Sequence, residues 1–316
     1  MKLYWKELLI SLFICLVLPV LLANLLIDDN ANRNANEEIT KKDSGFIDVI
    51  MKDGSIQTLS MDEYLTGVLL AEMPMSFHNE ALKAQAVAAR TVAIYGITYH
   101  TKHQQGDICA DAVCCQAYIS AEDYLSSGGT RENAQKAQKA VAETGNEVVT
   151  YNGELAQALY FSCSGGRTED AVAVWGTDIP YLQTVDSPGE EGAAHFTDTV
   201  TYSKEEFCER LGLSGDRRID IESIRYTNSG SVDTIQINEE DFSGLQLRTS
   251  LNLRSTVFTV YVVGNAVTIT TRGFGHRVGM SQYGAEAMAQ TGCNYKQILS
   301  HYYKGVEVKN YILPLN

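Results

Sequence analysis

Four places in this sequence of 316 residues hold side chains that could do chemistry. The first is Glu72, in Ala71-Glu72-Met73-Pro74. A carboxylic acid can give a proton to a leaving oxygen and take one back once ionised, provided its surroundings hold its pKa near the working pH. The second is the set His103, Cys109, Cys114 and Cys115, an N/S donor set of the kind tetrahedral zinc takes, with His100 able to stand in for one member. The third is Ser162-Cys163-Ser164-Gly165-Gly166, where paired glycines let backbone approach a ligand closely. The fourth is His276, between Gly275 and Arg277 in a loop that also holds Gly273 and Gly279. Each has a plainer reading. Glu72 could be a rim glutamate bonded to an arginine. Cys109 could form a disulfide with Cys114 or Cys115. The glycine pair could be a turn, and His276 a hydrogen-bonded structural residue. Cys163 has no base placed by the sequence, so it reads as a small buried residue rather than a nucleophile.

The elements that must position these groups follow from periodicity. Ser60 precedes an apolar-periodic run and Glu63 follows three positions on, a capping-box pattern. Leu65, Val68, Leu69 and Glu72 fall on one helical face, and Pro74 ends the helix near Glu72. The negative end of the helix dipole and partial burial both disfavour the ionised carboxylate there. A second helix starts near Asn79 or Glu80, with alanines for close packing. Gln85, Arg90 and Thr91 are its polar residues, placed to reach a groove or to form a solvated face. Phe46–Met51 and Ile56–Leu59 make a hairpin, as do Glu147–Tyr151 and Leu155–Tyr160 through Asn152-Gly153. Thr130–Thr144 reads as a surface helix. In Val174-Trp175 through Leu182, a single Trp is most often core. That leaves Tyr181 as the aromatic better placed to line a groove. Tyr202–Arg254 reads as core-building material: a helix at Lys204–Leu211 and strands at Ser223–Thr227, Asp233–Ile237 and Leu245–Thr249. A hairpin turns at Gly264-Asn265. Ser281 caps a helix ending at Gly292, and a last helix spans Tyr295–Tyr303 with Tyr302 and Tyr303 as rim aromatics. The fold class is α+β: helices and antiparallel hairpins around one extended core, with scope for two lobes forming a groove.

Net charge of −14 argues against nucleic acid as a partner, since such a binder needs a basic surface. Lys2 and Lys6 precede an apolar run from Leu8 to Ile27, and Asp28 and Asp29 follow it. Residues 1–27 therefore read as a single transmembrane anchor with the bulk of the chain outside; Leu21 to Leu26 lacks a clean cleavage site. Residues 28–45 form a polar tether, and residues 46–316 the functional domain.

Ala-Glu-Met-Pro followed by EALKAQAVAARTVA, then SCSGGRTED, VWGTDIPYL and GFGHRVGMSQYGAEAMA in that order, resembles the stage II sporulation protein D family from about Phe46 onward. The resemblance implies a lytic transglycosylase that cuts the bond between N-acetylmuramic acid and N-acetylglucosamine in peptidoglycan and leaves a 1,6-anhydro end, with Glu72 as its acid/base. It implies a groove that includes Gln85, Arg90, Ser164, Gly165, Tyr181, His276, Gln282 and Tyr283. Some clostridial members hold a structural zinc in an arrangement like His103, Cys109, Cys114 and Cys115. It further implies wall remodelling during engulfment in endospore formation, from the mother-cell membrane facing the engulfment space. The glycan would be stripped of stem peptides. The partners implied are an amidase (stage II sporulation protein P) and a membrane scaffold (stage II sporulation protein M). The family commonly has glycine where Arg277 stands, which puts the conformation and charge of that loop in question. A different class, a non-catalytic glycan binder that activates an amidase, stays open because related amidase-enhancer proteins share the domain. A zinc hydrolase fits less well, since a closed four-ligand site leaves no open position.

Overall fold

Strand β1 (Phe46–Ile50) turns back onto β2 (Ile56–Ser60), with Ile47 opposite Leu59, in a computed structural model that describes residues 45–99, 102–214 and 218–312. The anchor at 1–27, the tether up to residue 44 and His100 lie outside the described residues. Among the described residues no helix is long and apolar enough to cross a membrane. Ser60 switches the chain from strand to helix: its hydroxyl accepts the Glu63 N–H at 3.2 Å and α1 (Met61–Glu72) begins. The helix stops where Pro74 requires, with Met73 at φ −119° and ψ 136°. Helix α2 (Asn79–Tyr99) follows. Its fully buried alanines, among them Ala84, Ala86, Ala88 and Ala89, let neighbouring helices approach closely.

Next come β3 (Ile108–Cys109), parallel to β1, then α3 (Ala121–Ser126) and α4 (Arg131–Glu143). Asn152 and Gly153, both at positive φ, turn β4 (Glu147–Tyr151) into β5 (Glu154–Leu155). The expected strand Leu155–Tyr160 is broken after Leu155. Tyr160 and Phe161 form a separate β6, whose partner lies far along the chain. After α5 (Ala171–Trp175) the chain runs through β7 (Thr197–Ser203), α6 (Lys204–Leu211), β8 (Ile221–Tyr226), β9 (Val232–Ile237) and β10 (Glu240–Ser243). Then follow α7 (Gly244–Ser250), β11 (Phe258–Val263) and β12 (Ala266–Arg272). The chain closes with β13 (Met280–Ser281), α8 (Gln282–Gln290), α9 (Tyr295–Tyr302) and β14 (Glu307–Asn310).

The architecture is α+β, with short and mostly antiparallel sheets. The buried apolar residues form two main clusters rather than one extended core. The larger joins α1, α2, α4, α8 and α9 with β1 and β4. The smaller is built from β7 to β12 with α6 and α7, around Phe207, Ile235, Leu247 and Ile269. The second lobe is an insertion in the first: Gly273 N–H donates to the Phe196 carbonyl at 2.8 Å, so the chain leaves and returns at one point. Two further expectations fail. Leu245–Thr249 is helical, because Ser243 and Gln246 close a reciprocal capping box at its start, with bonds of 3.1 and 2.7 Å. Tyr302 and Tyr303 are fully buried, not on a rim.

Candidate active site

A cleft of about 1060 Å³ opens between the lobes. Its first-lobe wall includes Glu72, Tyr160, Trp175, His276 and Gln282; its second-lobe wall includes Thr227, Asp233, Leu245 and Arg248. Glu72, the last residue of α1, is half-buried. Its Oε1 accepts the Ala117 N–H at 2.7 Å and its Oε2 the Gln282 side-chain amide at 3.3 Å. Burial holds the Glu72 pKa above the ordinary carboxylate value, and the two hydrogen bonds pull it part of the way back. Gln282 is delivered by the cap of α8, where Ser281 Oγ accepts the Gly284 N–H at 3.2 Å. Tyr160 donates to Gln116 Oε1 at 2.7 Å, and Gln116 donates to the Tyr64 hydroxyl at 3.0 Å. The loop that carries Ala117 is thereby fastened to both α1 and β6.

His276 Nδ1 accepts the Val278 N–H at 3.2 Å, which leaves the proton on Nε2, 3.1 Å from the Tyr160 carbonyl oxygen. Burial, reinforced by the positive charge of Arg248, pushes its pKa down to about 4 against the opposing bond to the carbonyl. It is a neutral imidazole whose ring lies 5.6 Å from the Trp175 ring. Trp175 is 45% exposed and lines the cleft, whereas Tyr181 is 8% exposed. The Tyr181 hydroxyl accepts the Gln157 N–H at 2.8 Å and its ring packs on Tyr151. The two aromatics therefore exchange their expected places.

Several other expected groove residues lie inside. Arg90 is buried and its guanidinium donates to the Glu147 and Val141 carbonyls and Thr144 Oγ1, tying α2 to the end of α4. Gln85 is fully buried close to the Tyr160 hydroxyl, and neither of its amide atoms has a hydrogen bond of ordinary geometry. Tyr283 turns away and meets Phe77 edge-on at 5.0 Å. Ser164 and Gly165 do not line the cleft. With the Ser164 hydroxyl at 2.8 Å, their N–H groups, each at 2.9 Å, wrap the buried Glu190 carboxylate. Ser187 and Ser281 hydroxyls complete the cradle. The glycine-rich loop thus binds an anion of this chain's own and fixes the start of α8. Arg277 sits at φ +67°, in the left-handed region that glycine favours. Its buried guanidinium donates to the Ser164 carbonyl at 2.8 Å and the Arg167 carbonyl at 2.7 Å on one side, and to the Ser231 hydroxyl and the Ser229 carbonyl on the other. Its charge is balanced by buried Glu169 at 3.7 Å.

His103, Cys109, Cys114 and Cys115 each present one ligand atom, all within 4.8 Å of one another. His103 Nε2 lies 3.3 Å from Cys115 Sγ and 3.6 Å from Cys114 Sγ, and the two sulfurs are 3.8 Å apart. A tetrahedron with metal–sulfur bonds of about 2.3 Å and metal–nitrogen bonds of about 2.0 Å has edges of about 3.8 and 3.5 Å. The donor set and spacing fit zinc. All six described cysteines are free, so none of these three is in a disulfide.

Residues 52–151 match the family model described as stage II sporulation protein. The chain is 38% identical to the stage II sporulation protein D of Bacillus amyloliquefaciens over 80% of its own length and 75% of that protein's. It is 37% identical to the protein of the same name from Bacillus subtilis (strain 168), over 80% of this chain and 76% of that one. It is also 30% identical to the amidase enhancer of Bacillus subtilis (strain 168), over 78% of this chain and 40% of that protein. With three quarters of a sporulation protein matched at this identity, the chain belongs to the stage II sporulation protein D family.

Proposed function

We propose that this chain is a lytic transglycosylase acting on peptidoglycan glycan. The observation that supports this most directly is Glu72: a cleft carboxyl free of any cation among the described residues, burial-raised in pKa, at the C-terminal end of its helix, while Asp233 on the same cleft is paired with Arg225. An ordinary glycosidase needs two carboxylates. Glu169, the other buried carboxylate on the cleft wall, is occupied by Thr227, Ser229 and Arg277. A single carboxyl suffices when no water is added. Protonated Glu72 gives its proton to the oxygen between N-acetylmuramic acid and N-acetylglucosamine, and positive charge develops at the muramic C1. The glutamate left behind takes the proton of the muramic C6 hydroxyl, whose oxygen closes on C1 as a 1,6-anhydro ring. The Ala117 N–H and the Gln282 amide hold the carboxyl and stabilise its ionised stage. Trp175 offers a face for a sugar ring.

His103, Cys109, Cys114 and Cys115 would hold a structural zinc, whose contribution when bound is to close the loop that brings Ala117 to Glu72. The role proposed is wall remodelling in engulfment. The chain would be anchored in the mother-cell membrane through residues 1–27 and work beside an amidase (stage II sporulation protein P) and a scaffold (stage II sporulation protein M). The likeness to an amidase enhancer favours one other reading, a glycan-binding activator without chemistry of its own. Digestion of peptide-free glycan, read by mass spectrometry for anhydromuramic ends, separates them. Wild type should yield such ends, and Glu72→Gln should lose about a hundredfold to ten-thousandfold in rate with its melting temperature kept. Wild type that binds glycan but yields no anhydro ends would establish the activator reading.

A further inference from the structure

Arg248 stands on the second-lobe wall of the cleft that holds Glu72 and His276. The element beneath it is rigid: α7 is closed at its start by the Ser243–Gln246 box, and Leu247 and Leu251 are fully buried. Arg248 itself is half-buried. Its guanidinium has no hydrogen bond or ion pair among the described residues. The acids that share the cleft are engaged elsewhere: Glu72 with Ala117 and Gln282, Glu169 with Arg277, and Asp233 with Arg225 at 2.7 Å. Its charge is felt at His276, the neutral ring on the facing wall. A guanidinium drawn out of water without a partner is unfavourable until a ligand brings an anion. Its planar fork fits a carboxylate in two parallel hydrogen bonds.

The glycan of the proposed reaction carries one carboxyl per repeat, on the lactyl ether of muramic acid. That group is a free anion only where no stem peptide is attached; with a peptide in place it is a neutral amide. We propose that Arg248 binds the free lactyl carboxylate of a muramic residue in the cleft and is thereby the specificity residue that selects peptide-free strands. This rests on the reading of the cleft as a glycan site. The carboxylate assigned is the sugar's; one at a peptide terminus would favour peptide-bearing strands instead, and the ligands below separate the two.

The test uses the full chain carrying Glu72→Gln, so that ligands stay intact, and calorimetric titration with four oligosaccharides. These are a peptide-free muramyl tetrasaccharide, the same with its lactyl groups as carboxamides, the same bearing stem peptides, and an N-acetylglucosamine oligomer without carboxyls. The free acid should bind about tenfold to a hundredfold more tightly than the carboxamide. Adding Arg248→Gln or Arg248→Met should erase that ratio while leaving the glucosamine oligomer and the melting temperature unchanged, and Arg248→Lys should restore part of it. A ratio that survives both neutral substitutions would overturn the assignment, as would peptide-bearing strands that bind as tightly as free ones with the same dependence on Arg248. Failure of all four ligands to bind would instead remove the glycan reading beneath it.

Discussion

Glu72 must begin the proposed cycle protonated and finish it protonated, so its pKa sets the alkaline limb of the reaction. Burial raises that pKa, while the Ala117 N–H and the Gln282 amide favour the ionised form and lower it. The rate should be level in acid and fall as pH rises through the raised value. Gln282→Ala removes one of the two bonds that favour ionisation. The limb should therefore move to higher pH even as the rate itself drops, and a pH–rate profile of variant beside wild type reads this. A limb that moves to lower pH would mean that the Gln282 bond does not stabilise the carboxylate. At this scale the sequence was informative where separate motifs supplied residues that meet on one cleft, as at Glu72, His276 and Gln282. It was poor at depth. Spacing put Arg90 on a polar face of α2, but that face looks onto the α4 terminus and not onto a groove. Trp175 ends the short helix α5 and Tyr181 lies six positions on in the turn after it, and no periodicity over so few residues says which of them faces solvent.

Between elements, the structure is held by buried ions rather than by long strands. Arg277 links Ser164 and Arg167 of one lobe to Ser229 and Ser231 of the other, over the carboxylate of Glu169. Arg277→Gly would suit the backbone, since φ is +67°, yet it leaves Glu169 buried without a cation. Loss of one partner of such a pair costs about 3–5 kcal/mol. Urea unfolding should show a destabilisation of that order, and Glu169→Gln added to Arg277→Gly should recover part of it. The loop that carries the proposed zinc ligands makes a second joint. Elemental analysis of protein purified without added metal should find close to one zinc per chain. Its removal should lower the melting temperature and reduce activity, because the loop carries both the Cys114-Cys115 pair and the N–H that Glu72 accepts. Helix α7 shows why some of the site stayed hidden. Leu245-Gln-Leu-Arg-Thr alternates like a strand, and the box between its own Gln246 and Ser243, two residues before its start, turns it into the helix that displays Arg248. Alternation over five residues is a weak signal that one local pair of hydrogen bonds can override.

The whole molecule is one lobe carrying another. The matched family region, residues 52–151, lies in the first lobe, with Glu72, the His103–Cys115 donor cluster and most of the larger core. The second lobe, Thr197–Arg272, has its own core and enters and leaves beside the Phe196–Gly273 hydrogen bond. Paired ends of this kind permit excision, because the break leaves no gap for the first lobe to close. Replacing Thr197–Arg272 with a short glycine-serine turn should therefore leave a folded first lobe that still binds one zinc. What it loses is one wall of the cleft: Arg248, Asp233 and Leu245, and with Ser229 and Ser231 the far anchors of Arg277. Glycan affinity should fall steeply and turnover with it, while circular dichroism keeps the helical signal of α1, α2 and α4. Glu169 and Arg277 would then lie near water, where leaving them imperfectly paired costs little. The expected melting temperature is thus lower than that of the full chain, but the transition remains cooperative. If the excised protein instead fails to fold, the lobes form a single cooperative unit and the separate cores do not mark separable stability. If it folds and still cuts glycan at the full rate, the cleft between the lobes is not where the strand lies.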